Sequence, residues 1–239
     1  MTDPRSHLIV ALDLPDRLSA LSMTDQLSGH IGYFKIGLEL FTREGPRLVE
    51  EIRDRGEKVF LDLKLHDIPN TVRGAVRSAC RLGIQMLTLH ASGGRNMLTA
   101  ACQETQSFAS PPLLLAVTAL TSLSNEEIHQ IGVAESATRW VERLAEIAHQ
   151  SGVGGLVSST GELPMLQRKY EHRLQYVIPG IRPPDAALQD QSRTATPTKA
   201  MQAGADYIVV GRPILQAPDP IAAADAIVAE IKEALILRK

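Results

Sequence analysis

Residues 60–71, Phe60-Leu-Asp-Leu-Lys-Leu-His-Asp-Ile-Pro-Asn-Thr71, gather the side chains best suited to chemistry. Asp62 and Lys64 stand two apart, so an extended chain turns both to one face. Asp67 follows three residues later, where Pro69 begins to turn the chain. Burying a carboxylate costs several kcal/mol unless it is paired. A lysine among carboxylates is favoured in its charged form, and each contact at about 4 Å is worth roughly 4 kcal/mol at an effective dielectric near 20, before solvation costs. Such an ammonium is an acid placed to protonate a carbanion. The competing reading is an exposed ion pair where a strand meets a loop, close to neutral in energy. Phe60, Leu61, Leu63 and Leu65 weigh against it, because a near-continuous apolar run indicates a strand buried on both faces.

Other polar residues fall at the carboxyl ends of apolar runs. Asp13 follows Ile9-Val-Ala-Leu12, and Lys35 lies within Tyr33-Phe-Lys-Ile-Gly37. His90 ends a fourth run; on its own it reads more simply as a hydrogen-bonded histidine. Thr118, Thr121 and Ser122 follow a fifth run, Pro179 and Gly180 a seventh, and Gly211 and Arg212 an eighth. Backbone N–H groups at a turn such as Gly211-Arg-Pro213 suit an anion, and the Arg212 guanidinium is a planar fork for phosphate oxygens. As an alternative, Arg212 is a surface charge flanking a helix.

To bring these residues together, the chain needs strands that end on one side of the molecule. Strands are predicted at Leu8–Leu12, Tyr33–Gly37, Val59–Leu63, Gln85–Leu89, Leu113–Val117, Gly155–Ser158, Gln175–Ile178 and Tyr207–Val210. Amphipathic helical segments, among them Thr42–Arg55, Thr71–Leu82, Ser136–Gln150 and Pro220–Leu237, lie between and after them. Regular alternation favours a parallel sheet with helical crossovers. Eight units in 239 residues favour one closed (β/α)8 TIM barrel of class α/β, spanning residues 1–239 as a single domain. No glycine fingerprint of a dinucleotide fold follows the first strand. Barrel strands present their carboxyl ends on one face, where barrel enzymes build their sites. The stretch 182–193 has little periodicity, and reads either as a lid or as a passive surface loop.

Composition narrows the class further. Apolar residues make up 44% and charged residues 22%, as in ordinary globular proteins. A net charge of −2 gives no basic field to attract nucleic acid or an anionic membrane. The longest purely apolar runs fall far short of the ~20 residues that span a bilayer. Cys80 and Cys102 lack metal-type spacing and suggest a reducing compartment. Met1-Thr-Asp-Pro-Arg-Ser-His7 has no signal-peptide pattern. The expectation is a cytoplasmic protein that holds a phosphorylated small molecule, with its phosphate at strands seven and eight and its reacting end at strands two and three.

Asp62-Leu-Lys-Leu-His-Asp-Ile-Pro-Asn-Thr71 closely resembles the signature of the orotidine 5′-phosphate decarboxylase family, in its bacterial form. Similar segments run along the chain: Val10-Ala-Leu-Asp13, Phe34-Lys-Ile-Gly37, Val117-Thr-Ala-Leu-Thr-Ser122, Pro179-Gly-Ile-Arg182, Asp190-Gln-Ser-Arg193 and Gly204-Ala-Asp-Tyr-Ile-Val-Val-Gly-Arg-Pro213. The ten-residue signature is specific, whereas the last segment is shared among phosphate-binding barrels. The resemblance implies decarboxylation of orotidine 5′-phosphate to uridine 5′-phosphate without a cofactor or metal. It implies that Lys64 protonates ring carbon six, within a charge array of Lys35, Asp62, Lys64 and Asp67. It assigns Asp13 and Lys35 to the ribose, Thr121 and Ser122 to the pyrimidine, and Arg182, Gln191, Gly211 and Arg212 to the phosphate and lid, with Pro179 also among the substrate-binding residues. It further implies a homodimer in which Asp67 and Thr71 reach the partner's site. Ser158 and Leu188-Gln189 depart from the usual family pattern. Two rivals remain: a metal-dependent sugar-phosphate enzyme of the same superfamily, and a non-catalytic nucleotide-binding barrel.

Overall fold

A computed structural model describes residues 3–183 and 195–238. Among them, eight parallel strands close into a barrel in sequence order: β1 (Leu8–Ala11), β2 (Tyr33–Gly37), β3 (Val59–Leu65), β4 (Met86–His90), β5 (Leu113–Val117), β6 (Gly155–Val157), β7 (Gln175–Ile178) and β8 (Tyr207–Val210). Closure comes from β1 on β8, with Leu8 opposite Ile208 and Val10 opposite Val210. The (β/α)8 expectation therefore holds, with helices between the strands.

The two-residue period of each strand sorts its side chains. Leu8, Val10, Phe34, Ile36, Leu61, Leu87 and Leu89 turn outward and join the helices in the larger core. Ile9, Ala11, Phe60, Met86, Leu115, Val177 and Val209 turn inward and form a separate plug inside the barrel. Continuing the inward period toward the carboxyl ends replaces apolar residues with polar ones. Ile9 and Ala11 lead to Asp13, Phe60 leads to Asp62, and Val209 leads to Gly211.

Several helices start at a side-chain cap. The Asp219 carboxylate accepts from the Ala222 N–H at the head of Pro220–Leu237, and the Ser136 hydroxyl accepts from Arg139 N–H at the head of Ala137–Gln150. The expected helix Thr42–Arg55 is instead two helices, Leu38–Glu44 and Pro46–Asp54. Gly45 separates them with φ +67°, a left-handed value that favours glycine, and Pro46 starts the second. The expected Thr71–Leu82 helix begins earlier, as Pro69–Arg81 with its proline at the first turn. No helix among the described residues is long and apolar enough to cross a membrane.

Candidate active site

The carboxyl ends of the strands surround a cavity of about 280 Å³. Asp13, Lys35, Asp62, Lys64, Thr121, Pro179, Arg182, Gly211 and Arg212 all line it. Phe60, Val177 and Val209 form its apolar floor, continuous with the plug inside the barrel.

Around β2 and β3 the charges are tightly organised. Lys64 Nζ donates to both Asp62 carboxylate oxygens at 2.9 Å. Lys35 Nζ lies 3.7 Å from Asp62 Oδ2 and donates to Asp13 Oδ1 at 3.4 Å. Asp62 and Lys35 are mostly shielded, with side chains 13% and 11% exposed, whereas the Lys64 side chain is 29% exposed to the cavity. Burial pushes the Asp62 carboxyl up. The Lys35 and Lys64 charges, with hydrogen bonds from Lys64 and Thr88, outweigh it and hold the group below the usual carboxylate range. Gly37 leaves room for this arrangement, since a β-carbon there would meet Lys35 Nζ at 3.1 Å.

The local backbone is less regular than the sequence implies. An extended chain would set Asp62 and Lys64 on one face, but Lys64 has φ +49°. That left-handed conformation costs roughly 1–2 kcal/mol for a residue with a β-carbon. It accompanies a bulge in β3: Leu61 pairs with Leu87 and Leu65 with Leu89, so β3 spends four residues where β4 spends two. Thr88 holds both parts of this turn. Its hydroxyl accepts from Lys64 N–H at 2.8 Å and donates to Asp62 Oδ1 at 2.9 Å. Thr88 is wholly buried and lies on the inward face of β4. Sequence reasoning passed over it. The available signal was a polar residue at an inward position two places past Met86.

After β7 and β8 the cavity is also lined by Arg182 and Arg212, with Gly180, Gly211 and Pro213. Gly180 has φ +77°, which lets the chain turn sharply after β7. Arg182 N–H donates to the Ala195 carbonyl at 2.9 Å, and Ile181 forms a parallel bridge with Ala195. Gln191, and the expected lid apart from Arg182 and Pro183, lie outside the described residues.

Three residues expected at the site are not among those that line this cavity. Ser122 is exposed beyond Thr121. Asp67 and Thr71 belong to an unbroken exposed run from His66 to Thr71, and the Asp67 carboxylate accepts the Ile68 N–H at 2.6 Å. His90 also stays off the cavity wall: its ring packs at 5.4 Å from that of His66, and its buried Nδ1 has no hydrogen-bond partner among the described residues. Burial lowers the His90 pKa, and the nearby His66 and Lys64 add to that shift. Among the described residues, no three His, Cys, Asp or Glu side chains gather as a metal-binding group.

Comparison with known proteins agrees with this geometry. The orotidine 5′-phosphate decarboxylase / HUMPS family model matches residues 6–227. An orotidine 5′-phosphate decarboxylase of Opitutus terrae is 49% identical over 225 residues, covering 94% of this chain and 98% of that protein. One from Saccharophagus degradans is 45% identical over 234 residues, covering 98% of each. The crystal structure of orotidine 5′-phosphate decarboxylase from Lactobacillus acidophilus superimposes with a TM-score of 0.85 at 38% identity, covering 94% of this chain and 98% of that one. A resident charge array at the mouth of a barrel thus coincides with a match along nearly the whole sequence, and the chain belongs to the orotidine 5′-phosphate decarboxylase / HUMPS family.

Proposed function

We propose that this protein decarboxylates orotidine 5′-phosphate to uridine 5′-phosphate, a step of pyrimidine nucleotide synthesis, and that Lys64 supplies the proton. The observation that carries the reading is the Lys64 ammonium, held by both Asp62 oxygens and open to a cavity also lined by Arg182 and Arg212. The same cavity offers arginines to a phosphate and an ammonium to a reacting carbon, the two kinds of group a nucleotide monophosphate would need.

In this reading the Arg212 guanidinium takes the phosphate, with Arg182 and the turn residues Pro179 and Gly211 beside it. Asp13 and Lys35 face the ribose hydroxyls, and Thr121 faces the pyrimidine, with Ser122 following it. The substrate carboxylate on carbon six lies against Asp62 and Lys64. As the carbon–carboxylate bond breaks, its electron pair stays on carbon six and carbon dioxide leaves. The Lys64 ammonium, already in place, opposes the growing negative charge and passes one proton to carbon six. Lys64 then regains a proton from solvent, so the sum is substrate plus one proton giving product plus carbon dioxide. Asp62 anchors the ammonium, and its own charge faces the substrate carboxylate until that group departs. Binding energy at the distant phosphate helps fix the reacting end.

The acid is a side chain, so the proposed chemistry uses no metal or coenzyme. Asp67 and Thr71 are assigned to the site of a second copy, which fits their exposure and their absence from this chain's own cavity. Lys35, Asp62 and Lys64 would then be completed by Asp67 from across a homodimer interface. Cys80 and Cys102 are both free thiols, which suits a reducing, cytoplasmic setting. The test is to mix purified protein with orotidine 5′-phosphate in excess EDTA and follow the ultraviolet absorbance. The expected result is conversion to uridine 5′-phosphate at the rate seen without chelator. Loss of activity in EDTA would favour the metal-dependent rival. Tight nucleotide binding with no absorbance change would favour a non-catalytic binder.

A further inference from the structure

Thr88 ties the backbone of the proton donor to the side chain that anchors it. The Lys64 N–H cannot follow the regular β3–β4 ladder, because the register shifts between Leu61 and Leu65. It donates instead to Thr88 Oγ1 at 2.8 Å, and the same hydroxyl donates its proton to Asp62 Oδ1 at 2.9 Å. One oxygen therefore satisfies the only backbone donor of a left-handed lysine and also fixes the carboxylate that receives that lysine's ammonium. Burial of Thr88 keeps water from replacing either bond. No other threonine or serine hydroxyl donates to the Asp62 carboxylate among the described hydrogen bonds.

We propose that Thr88 is a positioning residue for the reaction: its hydroxyl locks the β3 bulge and aims the Asp62–Lys64 pair into the cavity. The proposal rests on the decarboxylase reading above and deepens it, since Thr88 does not line the cavity and touches the substrate only through Asp62 and Lys64. A hydroxyl, rather than a side chain of that size, is what the position requires. Valine has nearly the same shape but neither donates nor accepts.

The test compares Thr88→Val and Thr88→Ser with wild type, with Thr88→Ala as a second hydroxyl-free variant that introduces no branched bulk. Loss of the hydroxyl should lower kcat by about 10- to 100-fold, the scale of a small misplacement of reacting groups. KM and the affinity for uridine 5′-phosphate should stay within about threefold, since the phosphate end is untouched. Thr88→Ser should restore kcat to within about threefold of wild type, because it keeps both bonds. Wild-type kcat in a folded Thr88→Val or Thr88→Ala variant would overturn the proposal. So would equal losses in the serine and valine variants, or failure of both hydroxyl-free variants to fold, either of which would make Thr88 a structural residue only. If wild type itself shows no turnover, the activity reading fails separately. A crystal structure of Thr88→Val then reads the clamp directly: Lys64 leaving its left-handed conformation, or Asp62 turning away, supports it, and an unchanged pair refutes it.

Discussion

Asp62 is the residue on which the electrostatics of the site turn. Burial by itself would favour its neutral form, but two ammonium groups and two sets of hydrogen bonds hold it ionised. Its folded pKa lies below the ordinary carboxylate value of about 3.9. The resulting stabilisation is fully present above that value and is lost as pH falls through the folded pKa. Asp62→Asn, which leaves Lys35 and Lys64 without their common anion, should therefore be less stable than wild type near neutrality. Urea unfolding followed between about pH 6 and pH 3 should show the gap narrowing on the acid side. A gap of constant size across that range would contradict this account of Asp62. Asp13, Lys35 and Asp62 were legible in the sequence, because all three fall on the inward period of their strands or just past them; Lys64 reaches the cavity by the bulge instead, and Asp67 of the expected array does not line it. The contribution of Thr88 was not legible, because one threonine in Met86-Leu-Thr-Leu-His90 looks like an ordinary strand former.

At the level of elements, runs rich in valine, isoleucine and leucine located every strand. Tyr33–Gly37, Leu113–Val117, Gln175–Ile178 and Tyr207–Val210 have the expected bounds, and the others differ at their ends. Hydrophobic period carries that information locally, so long-range structure adds little to it. The misread helix, expected at Thr42–Arg55 and found as Leu38–Glu44 and Pro46–Asp54, has a local cause as well. Its apolar residues keep a helical period on both sides of Gly45-Pro46, and the period hides the break that the two residues impose. The bulge in β3 is different in kind. It is a disagreement in length between two paired strands, and nothing in Val59–Leu65 alone reports the length of its neighbour. That bulge changes how Lys64 reaches Asp62: the pair meets through a left-handed turn rather than through simple alternation.

For the whole molecule, the barrel brings nine of the expected site residues to one cavity and leaves Asp67 and Thr71 on the surface. Ile68, 66% exposed between them, gives this surface an apolar centre. The dimer reading makes a specific prediction. Neither Lys64→Ala nor Asp67→Ala protein should turn over substrate well alone. Dissociating and reassociating an equal mixture should create hybrids in which one barrel has its own Lys64 and a neighbour's Asp67. Random pairing of two copies would then restore about a quarter of the wild-type activity. No recovery above the separate variants, with hybrids demonstrated by mass spectrometry, would rule out a shared site. The central claim concerns Lys64 itself, and the most direct measurement of it is turnover by Lys64→Ala alongside its affinity for uridine 5′-phosphate. The account predicts that decarboxylation falls below detection while the nucleotide still binds through the arginines of the cavity. Turnover close to wild type in that variant would contradict it.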